Sequence, residues 1–175
     1  MQKYGLIGFP LSHSFSKGFF NEKFASENID ATYLNFEIPS IKDFHAVINS
    51  NPELNGLNVT IPYKEQIIPY LDELDETARE IGAVNVVKFN RTRKGIKLKG
   101  YNSDVIGFSR SIAEYILPHH KKALILGTGG ASKAVAYSLR KLGLEYSFVT
   151  RVPLWGQLAY EDINETLLQE YSVIV

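Results

Sequence analysis

The sequence contains no cysteine, which removes several kinds of chemistry at once. Disulfide bonds, thiolate metal sites and a cysteine nucleophile are all excluded. The four histidines lack the spacing of metal ligands, so we expect no metal site. No apolar run is long enough to span a membrane or to resemble a signal peptide, and a reducing cytoplasm is therefore the expected location.

The chain also lacks an excess of either charge, since 19 lysine and arginine residues balance 19 aspartate and glutamate residues. A neutral chain has no overall field to attract nucleic acid or an anionic membrane, so neither is expected as a partner. Of the 175 residues 45% are hydrophobic and 22% are charged, which is typical of a folded chain with one large or two small domains.

Strand and helix patterns alternate in the first part of the chain. Apolar runs predict strands at residues 4–8, 31–38 and 54–59, separated and followed by predicted helices at residues 17–27, 40–49 and 63–71. This order favours an open, mostly parallel α/β sheet. Two further runs, 83–90 and 96–101, flank the polar turn Arg91-Thr92-Arg93-Lys94-Gly95 and predict a hairpin.

Polar side chains gather where the third predicted strand ends. Asn58 and Thr60 alternate with apolar residues and therefore share one face of an extended backbone. Pro62 ends the strand, and Lys64 follows at the sheet edge where open α/β proteins bind ligands. An amide, a hydroxyl and an ammonium suit a small hydroxylated or carboxylated molecule. Taken alone, Lys64 is better explained as a surface lysine that opens a helix, and only its polar company elsewhere in the chain favours a binding role.

Three other polar positions have both a structural and a functional explanation. Ser16 is predicted as the N-cap of the first helix, but capping does not explain Ser14, and hydroxyls at a helix N-terminus suit a carboxylate. Asn85 interrupts an apolar run and must find hydrogen-bond partners in the fold or in a ligand. Asp104 is either an acid at the start of the helix 105–116 or a ligand-binding residue.

A glycine loop follows the predicted strand 123–126 and precedes a predicted helix, 133–142. Strand, glycine loop and helix form the context that a dinucleotide fingerprint requires. The first glycine permits a tight turn, and the second lets the backbone approach a pyrophosphate at the helix N-terminus. The loop residues are Gly127, Thr128, Gly129, Gly130 and Ala131.

The next predicted strand, 146–149, ends in Thr150 and Arg151. An NAD enzyme places an acid there to bind the ribose 2′-hydroxyl, whereas an arginine can pair with a 2′-phosphate. This favours NADP, and an exposed loop arginine is the alternative. The remaining elements, a helix at 161–170 and a strand at 171–175, complete only part of a nucleotide-binding sheet, so we expect this unit to be incomplete.

Together these motifs resemble the shikimate dehydrogenase family. The resemblance implies an open, mostly parallel α/β substrate-binding and catalytic domain at 1–103, followed by a Rossmann-type NADP-binding domain at 104–175. The matching blocks occur in family order and are Gly8–Pro10 with Ser12–Ser16, Asn58–Lys64, Gly82–Asn85, Gly100–Asp104 and Gly127–Ala131.

The resemblance also implies a function, the NADPH-dependent and reversible reduction of 3-dehydroshikimate to shikimate in aromatic amino-acid biosynthesis. Lys64 and Asp104 correspond to the catalytic pair of the family. The implied substrate ligands are Ser14 and Ser16 for the carboxylate, and Asn58, Thr60, Asn85, Lys64 and Asp104 around the ring hydroxyls. The implied cofactor residues are those of the glycine loop together with Thr150 and Arg151.

The chain departs from the family pattern at Lys17, which replaces a proline, at Ser103, which replaces a threonine, and at Thr150 and Val152 on either side of Arg151. Two other functions stay open at this point. A quinate/shikimate dehydrogenase shares nearly all these motifs and uses NAD or NADP. A non-catalytic relative would hold the ligand without converting it, although the presence of both catalytic residues argues against this. A homodimer is left open as a partner.

Overall fold

The computed structural model describes residues 1–93 and 95–175, which form two compact units, 1–102 and 103–175. Lys94, part of the predicted hairpin turn, lies outside the described residues. In the described ranges no helix has the length and apolar character needed to cross a membrane. The same ranges contain no group of three or more histidine, cysteine or acidic side chains arranged to hold a metal ion. Assigning substrate to the first unit and cofactor to the second remains a prediction.

The first unit is built on a six-stranded sheet in the order β2-β1-β3-β5-β6-β4. Its strands are β1 (Gln2–Gly8), β2 (Ala31–Glu37), β3 (Leu54–Val59), β4 (Glu73–Leu74), β5 (Val86–Thr92) and β6 (Gly95–Tyr101). Its α-helices are α1 (Ser16–Ser26), α2 (Phe44–Ser50), α3 (Tyr63–Gln66) and α4 (Glu76–Ile81), with short 3₁₀ turns at Ile41–Asp43 and Ile68–Tyr70.

Strand pairing confirms the predicted α/β class. β1 runs parallel to both β2 and β3, and β4 runs parallel to β6. β5 is antiparallel to both β3 and β6 and forms the predicted hairpin with β6. Because β1 and β3 are parallel neighbours, their carboxyl ends lie at the same edge of the sheet.

The two faces of this sheet bury different clusters, as the alternation of side chains along β1 requires. Ile7 joins the larger cluster, in which Phe44 of α2 and Ile67, just after α3, are fully buried. The next residue back, Leu6, belongs to a smaller cluster on the other face, where α1 packs. There the rings of Phe20 and Tyr33 stack with centroids 4.7 Å apart.

The predicted boundaries of the helices next to Ser16 and Lys64 are wrong. Ser16 is the first residue of α1 and not its N-cap, a position that Phe15 occupies without a side-chain hydrogen bond. The helix predicted over residues 63–71 ends at Gln66 and is followed by the 3₁₀ turn Ile68–Tyr70. Proline inside a helix lacks an N–H group and collides with the preceding turn, so Pro69 does not permit one continuous α-helix.

The N-terminus of α4 offers a test of local stability. Asp75 is its N-cap, and the Asp75 carboxylate accepts a hydrogen bond from the Ala78 N–H at 2.9 Å. We expect Asp75→Ala to lower the free energy of unfolding by about 1 kcal/mol, measured by urea denaturation, because that N–H loses its partner. Asp75→Asn keeps a capping oxygen and is the matched control. An equal loss in both variants would contradict the capping role.

The second unit contains a parallel sheet in the order β10-β7-β8-β9. Its strands are β7 (Lys122–Leu126), β8 (Glu145–Thr150), β9 (Leu158–Ala159) and β10 (Val173–Ile174), and its α-helices are α5 (Asp104–Ile112), α6 (Gly130–Lys141) and α7 (Glu165–Glu170), with 3₁₀ turns at Ala113–Tyr115 and Tyr160–Asp162. β8 and β9 extend the sheet on one side of β7, and β10 lies on the other side. The strand order therefore reverses at β7, as in the predicted Rossmann-type unit.

Candidate functional site

A cavity of about 400 Å³ lies where β1 and β3 end. The Thr60 N–H donates to the Ile7 carbonyl at 2.9 Å, and the Phe9 N–H donates to the Ile61 carbonyl at 3.0 Å, so the two strand ends are held together. Three of the predicted substrate-binding residues line this cavity, namely Ser14, Ser16 and Thr60. The other lining residues are Leu6, Phe9, Pro10, Leu11, His13, Phe15 and Ile61.

The N-terminus of α1 borders the same cavity. The Ser14 hydroxyl accepts a hydrogen bond from the Ser16 N–H at 3.3 Å, which ties the residues before α1 to its first residue. The first turn of α1 contains no acidic side chain. The first N–H groups of a helix have no partner within the helix and carry partial positive charge, which favours an anion. Two serine hydroxyls beside this helix end suit a carboxylate.

The side-chain amide of Asn58, on β3, makes one hydrogen bond through its oxygen and one through its nitrogen. Its Oδ1 accepts from the Tyr33 hydroxyl at 2.8 Å, and its Nδ2 donates to the Asn85 carbonyl at 3.4 Å. Burial raises the pKa of the Tyr33 phenol, which keeps it protonated as a donor. A primary amide has two N–H donors and two acceptor positions, so one of each is left for a ligand.

A backbone hydrogen bond links the segment that contains Lys64 to the segment that contains Asn85. Asn85 precedes β5 and is 8% exposed, and its N–H donates to the Tyr101 carbonyl at 3.0 Å. Lys64 is half-buried in α3, and its carbonyl accepts from the Val84 N–H at 2.7 Å. The structure therefore joins the start of α3 to the residue before Asn85. This places Lys64 just beyond the carboxyl end of β3, as predicted.

Asp104 belongs to the second unit, where it is the first residue of α5. Ser103 precedes it as the N-cap and makes no side-chain capping hydrogen bond. Asp104 thus occupies the first turn of α5, where the helix dipole favours an acid. The catalytic role of Asp104 stays a prediction.

The glycine loop follows β7 and leads directly into α6. Gly127 has a φ of +122°, which a residue with a side chain rarely adopts, and its N–H donates to the Val149 carbonyl at 2.8 Å. Gly129 is the N-cap of α6 with an ordinary φ of −73°. A Cβ at Gly129 would meet no atom within 4 Å, so neither conformation nor packing requires glycine there. Open space at this position fits the close approach of a pyrophosphate.

The remaining loop and strand-end residues lie around the same edge of this sheet. Thr128 links the two glycines just described, and Gly130 and Ala131 form the first turn of α6, which contains no acidic side chain. Thr150 is the last residue of β8 and pairs with Ala159 of β9, and Arg151 follows it with an exposed side chain. Because β7 and β8 are parallel neighbours, the glycine loop and Arg151 leave the sheet at the same edge.

This chain resembles known proteins in sequence and in structure. A family model described as the shikimate dehydrogenase substrate binding domain matches residues 6–87. The chain is 43% identical to the NADP(+) shikimate dehydrogenase of Aquifex aeolicus over 99% of its own length and 61% of that protein. It is 40% identical to the Staphylococcus aureus enzyme of the same name, covering 99% of this chain and 67% of that one. The chain belongs to the shikimate dehydrogenase family.

A solved member of this family has the same fold. It is the Thermus thermophilus shikimate 5-dehydrogenase in complex with NADP(H) and shikimate, with a TM-score of 0.75 and 29% sequence identity. The match covers all of this chain and 63% of that one. The chain thus spans about three fifths of the Aquifex and Thermus family members.

One residue that contacts the candidate site was missed by sequence reasoning. Tyr33 is predicted only as part of an apolar strand, yet its hydroxyl reaches Asn58 and fixes that side chain. The two residues lie on β2 and β3, which are separated by β1 in the sheet. No periodic pattern within a strand signals a contact across an intervening strand, so the sequence offers no clue to this role.

Proposed function

We propose that this chain contains the substrate-binding unit and the NADP-binding unit of a shikimate dehydrogenase. The enzyme catalyses the reversible reduction of 3-dehydroshikimate to shikimate with NADPH, a step in aromatic amino-acid biosynthesis. The single observation that supports this most is the cavity that Ser14, Ser16 and Thr60 line at the carboxyl ends of β1 and β3. Lys64 follows β3 at the same end of the sheet. A cytoplasmic location and a homodimer are further parts of the proposal.

The substrate carboxylate binds at the N-terminus of α1. The Ser16 hydroxyl donates a hydrogen bond to one carboxylate oxygen. The Ser14 hydroxyl also donates to the carboxylate, while its oxygen accepts from the Ser16 N–H. The partial positive charge of the helix end adds to these hydrogen bonds. Thr60, Asn58 and Asn85 bind the ring hydroxyls, and Tyr33 keeps the Asn58 amide in one orientation.

The chemistry is a carbonyl reduction. When bound, NADPH supplies the hydride that reduces the carbonyl carbon. Negative charge then develops on the carbonyl oxygen, where the Lys64 ammonium stabilises it and donates the proton that completes the hydroxyl group. Asp104 is the second residue of the proposed catalytic pair and binds the substrate. In the cofactor unit, Gly127–Ala131 and the N-terminus of α6 bind the pyrophosphate, and Thr150 and Arg151 bind the 2′-phosphate.

Ser16→Ala tests the carboxylate site. Each hydrogen bond to a charged group contributes about 1.5–3 kcal/mol, and we take the lower end because Ser16 is only half-buried. We expect the Michaelis constant for shikimate to rise roughly tenfold with little change in turnover. The measurement is the shikimate-dependent reduction of NADP by the protein at its full natural length.

Ser26→Ala is the matched control, since Ser26 ends the same helix and its hydroxyl donates to the Lys23 carbonyl at 2.9 Å. It should leave the Michaelis constant unchanged. An unchanged Michaelis constant in Ser16→Ala as well would remove Ser16 from the substrate site. The proposed function itself fails if the wild-type protein oxidises neither shikimate nor quinate with either cofactor.

A further inference from the structure

The connection between β8 and β9 displays an apolar cluster formed by Val152, Leu154 and Trp155. Their side chains are among the most exposed large apolar groups of the described residues, and Trp155 is fully exposed, at 102%. Tryptophan contains a large apolar ring system and is highly buried on average. A fully exposed indole, which is also the only tryptophan of this sequence, indicates a contact that the fold itself does not supply.

Trp155 is held in place by a tight turn. The Gln157 N–H donates to the Leu154 carbonyl at 2.9 Å, and the Gln157 side chain accepts from the Leu154 N–H at 3.0 Å. Gly156 has a φ of +82°, which with the first bond defines a type II turn. Trp155 occupies the second position of this turn, and neither of the two hydrogen bonds uses its indole. The ring is therefore displayed by an ordered backbone.

The turn belongs to the nucleotide edge of the second unit. Val149 pairs with Leu158 and Thr150 with Ala159, so the connection 151–157 leaves and re-enters the sheet at the carboxyl end of β8. The Val149 carbonyl also accepts the Gly127 N–H. The glycine loop, Arg151 and the displayed indole are thus all attached to the same end of one strand.

The chemistry of a 2′-phosphorylated adenosine matches this arrangement. Its phosphate is carried on the ribose carbon next to the one that bears adenine, so a phosphate paired with Arg151 brings the base close to the following residues. Adenine is planar and aromatic, and bases stack favourably on exposed indole rings. The connection offers Val152, Pro153 and Leu154 as further apolar surface and contains no acid to repel a phosphate.

We propose that Trp155 stacks on the adenine ring of the cofactor while Arg151 pairs with the 2′-phosphate. This inference rests on the proposed function, because it takes the nucleotide to be NADP. It adds a second contact to the cofactor site: the indole binds the adenine that NADP and NAD share, while the 2′-phosphate distinguishes the two cofactors.

The fluorescence of the Trp155 indole can report directly whether a nucleotide binds beside it. The probe is adenosine 2′,5′-bisphosphate, which contains the adenine and the 2′-phosphate but no nicotinamide that could absorb tryptophan emission. The difference in emission between wild type and Trp155→Phe isolates the signal of Trp155. We expect the probe to quench this signal in a saturable way, with the same dissociation constant that isothermal calorimetry gives for wild type.

Affinities of three variants complete the test. Trp155→Ala should weaken binding of the bisphosphate by about fivefold to a hundredfold, and binding of ADP by a similar factor, because both contain adenine. Trp155→Phe keeps an aromatic ring and should retain most of the affinity. Arg151→Ala should weaken the bisphosphate much more than ADP, because ADP has no 2′-phosphate.

The possible results distinguish failure of the Trp155 stacking from failure of the NADP assignment. Calorimetric binding without quenching, and with normal affinity in Trp155→Ala, would overturn the stacking and leave the cofactor assignment standing. Absence of binding to both the bisphosphate and NADP would overturn both. A Trp155 signal that depends on protein concentration, with self-association lost in Trp155→Ala, would assign the cluster to contact between copies of the chain and overturn the stacking.

Discussion

Replacing Lys64 with methionine should lower the turnover of shikimate by a factor of about 10²–10⁴, the usual contribution of a positioned acid or base. The affinity for shikimate should stay within about tenfold, because the lost interaction acts mainly on charge that develops in the transition state. Methionine matches the four-atom apolar stem of lysine in length and lacks the ammonium. Initial rates of NADP reduction over a range of shikimate concentrations separate the two parameters.

The backbone around Lys64 makes this variant interpretable. The preceding residue, Tyr63, is 2% exposed and donates its hydroxyl to the Ile38 carbonyl at 2.6 Å. The Lys64 carbonyl accepts from the Val84 N–H, and neither bond involves the ammonium. Lys42→Met, at an exposed position of the same unit, controls for loss of a positive charge. Turnover near the wild-type value in Lys64→Met would exclude Lys64 from the chemistry.

The elements with clear local patterns were predictable from the sequence. β3 covers residues 54–59, the predicted range, because an apolar run bounded by polar and proline residues has few other solutions. The glycine loop was recognised between its strand and helix for the same reason. These features depend on neighbours in sequence, where periodicity and turn chemistry act directly.

The errors occurred where several local explanations compete. Both Ser14 and Ser16 are good capping residues, and the sequence does not show which backbone conformation the chain adopts between them. In the structure α1 begins at Ser16, its N-cap is Phe15, and the Ser14 hydroxyl accepts from the Ser16 N–H. In the third helix the apolar spacing continued past Pro69, but the missing N–H of proline prevailed over periodicity.

The candidate site depends on contacts between distant parts of the chain. Strands lie about 4.8 Å apart in a sheet, so β2 and β3 are roughly 10 Å apart, and the Tyr33 and Asn58 side chains together bridge that distance across β1. Strand order is a property of the whole sheet and is not written in any one strand. Sequence alone therefore identified the Asn58 amide but not the phenol that orients it, and it assigned roles to Lys64 and Asp104 only through family resemblance.

Arg151→Ala should weaken NADP binding by about tenfold to a hundredfold, corresponding to the loss of a charge-assisted hydrogen bond of about 1.5–3 kcal/mol. The binding of NAD should change by less than about twofold, because NAD carries no 2′-phosphate. Arg151 follows directly after β8, where an acid would repel this phosphate, while a guanidinium attracts it and can pair with it through two hydrogen bonds. Calorimetric titration of both cofactors measures the two affinities.

Comparing the affinities for NADP and NAD distinguishes recognition of the 2′-phosphate by Arg151 from a structural role of Arg151 in its loop. A loop that loses its shape should bind both cofactors less well, whereas loss of a phosphate contact affects NADP alone. Arg140→Ala is the matched control, since Arg140 lies in the last turn of α6, at the opposite end of that helix from Gly129. It removes the same charge from the same unit and should leave both affinities unchanged.

Equal losses for NADP and NAD in Arg151→Ala would mean that Arg151 supports the connection to β9 and does not read the phosphate. The preference for NADP would then need a different origin, and Thr150, the last residue of β8, offers a hydroxyl as a hydrogen-bond donor.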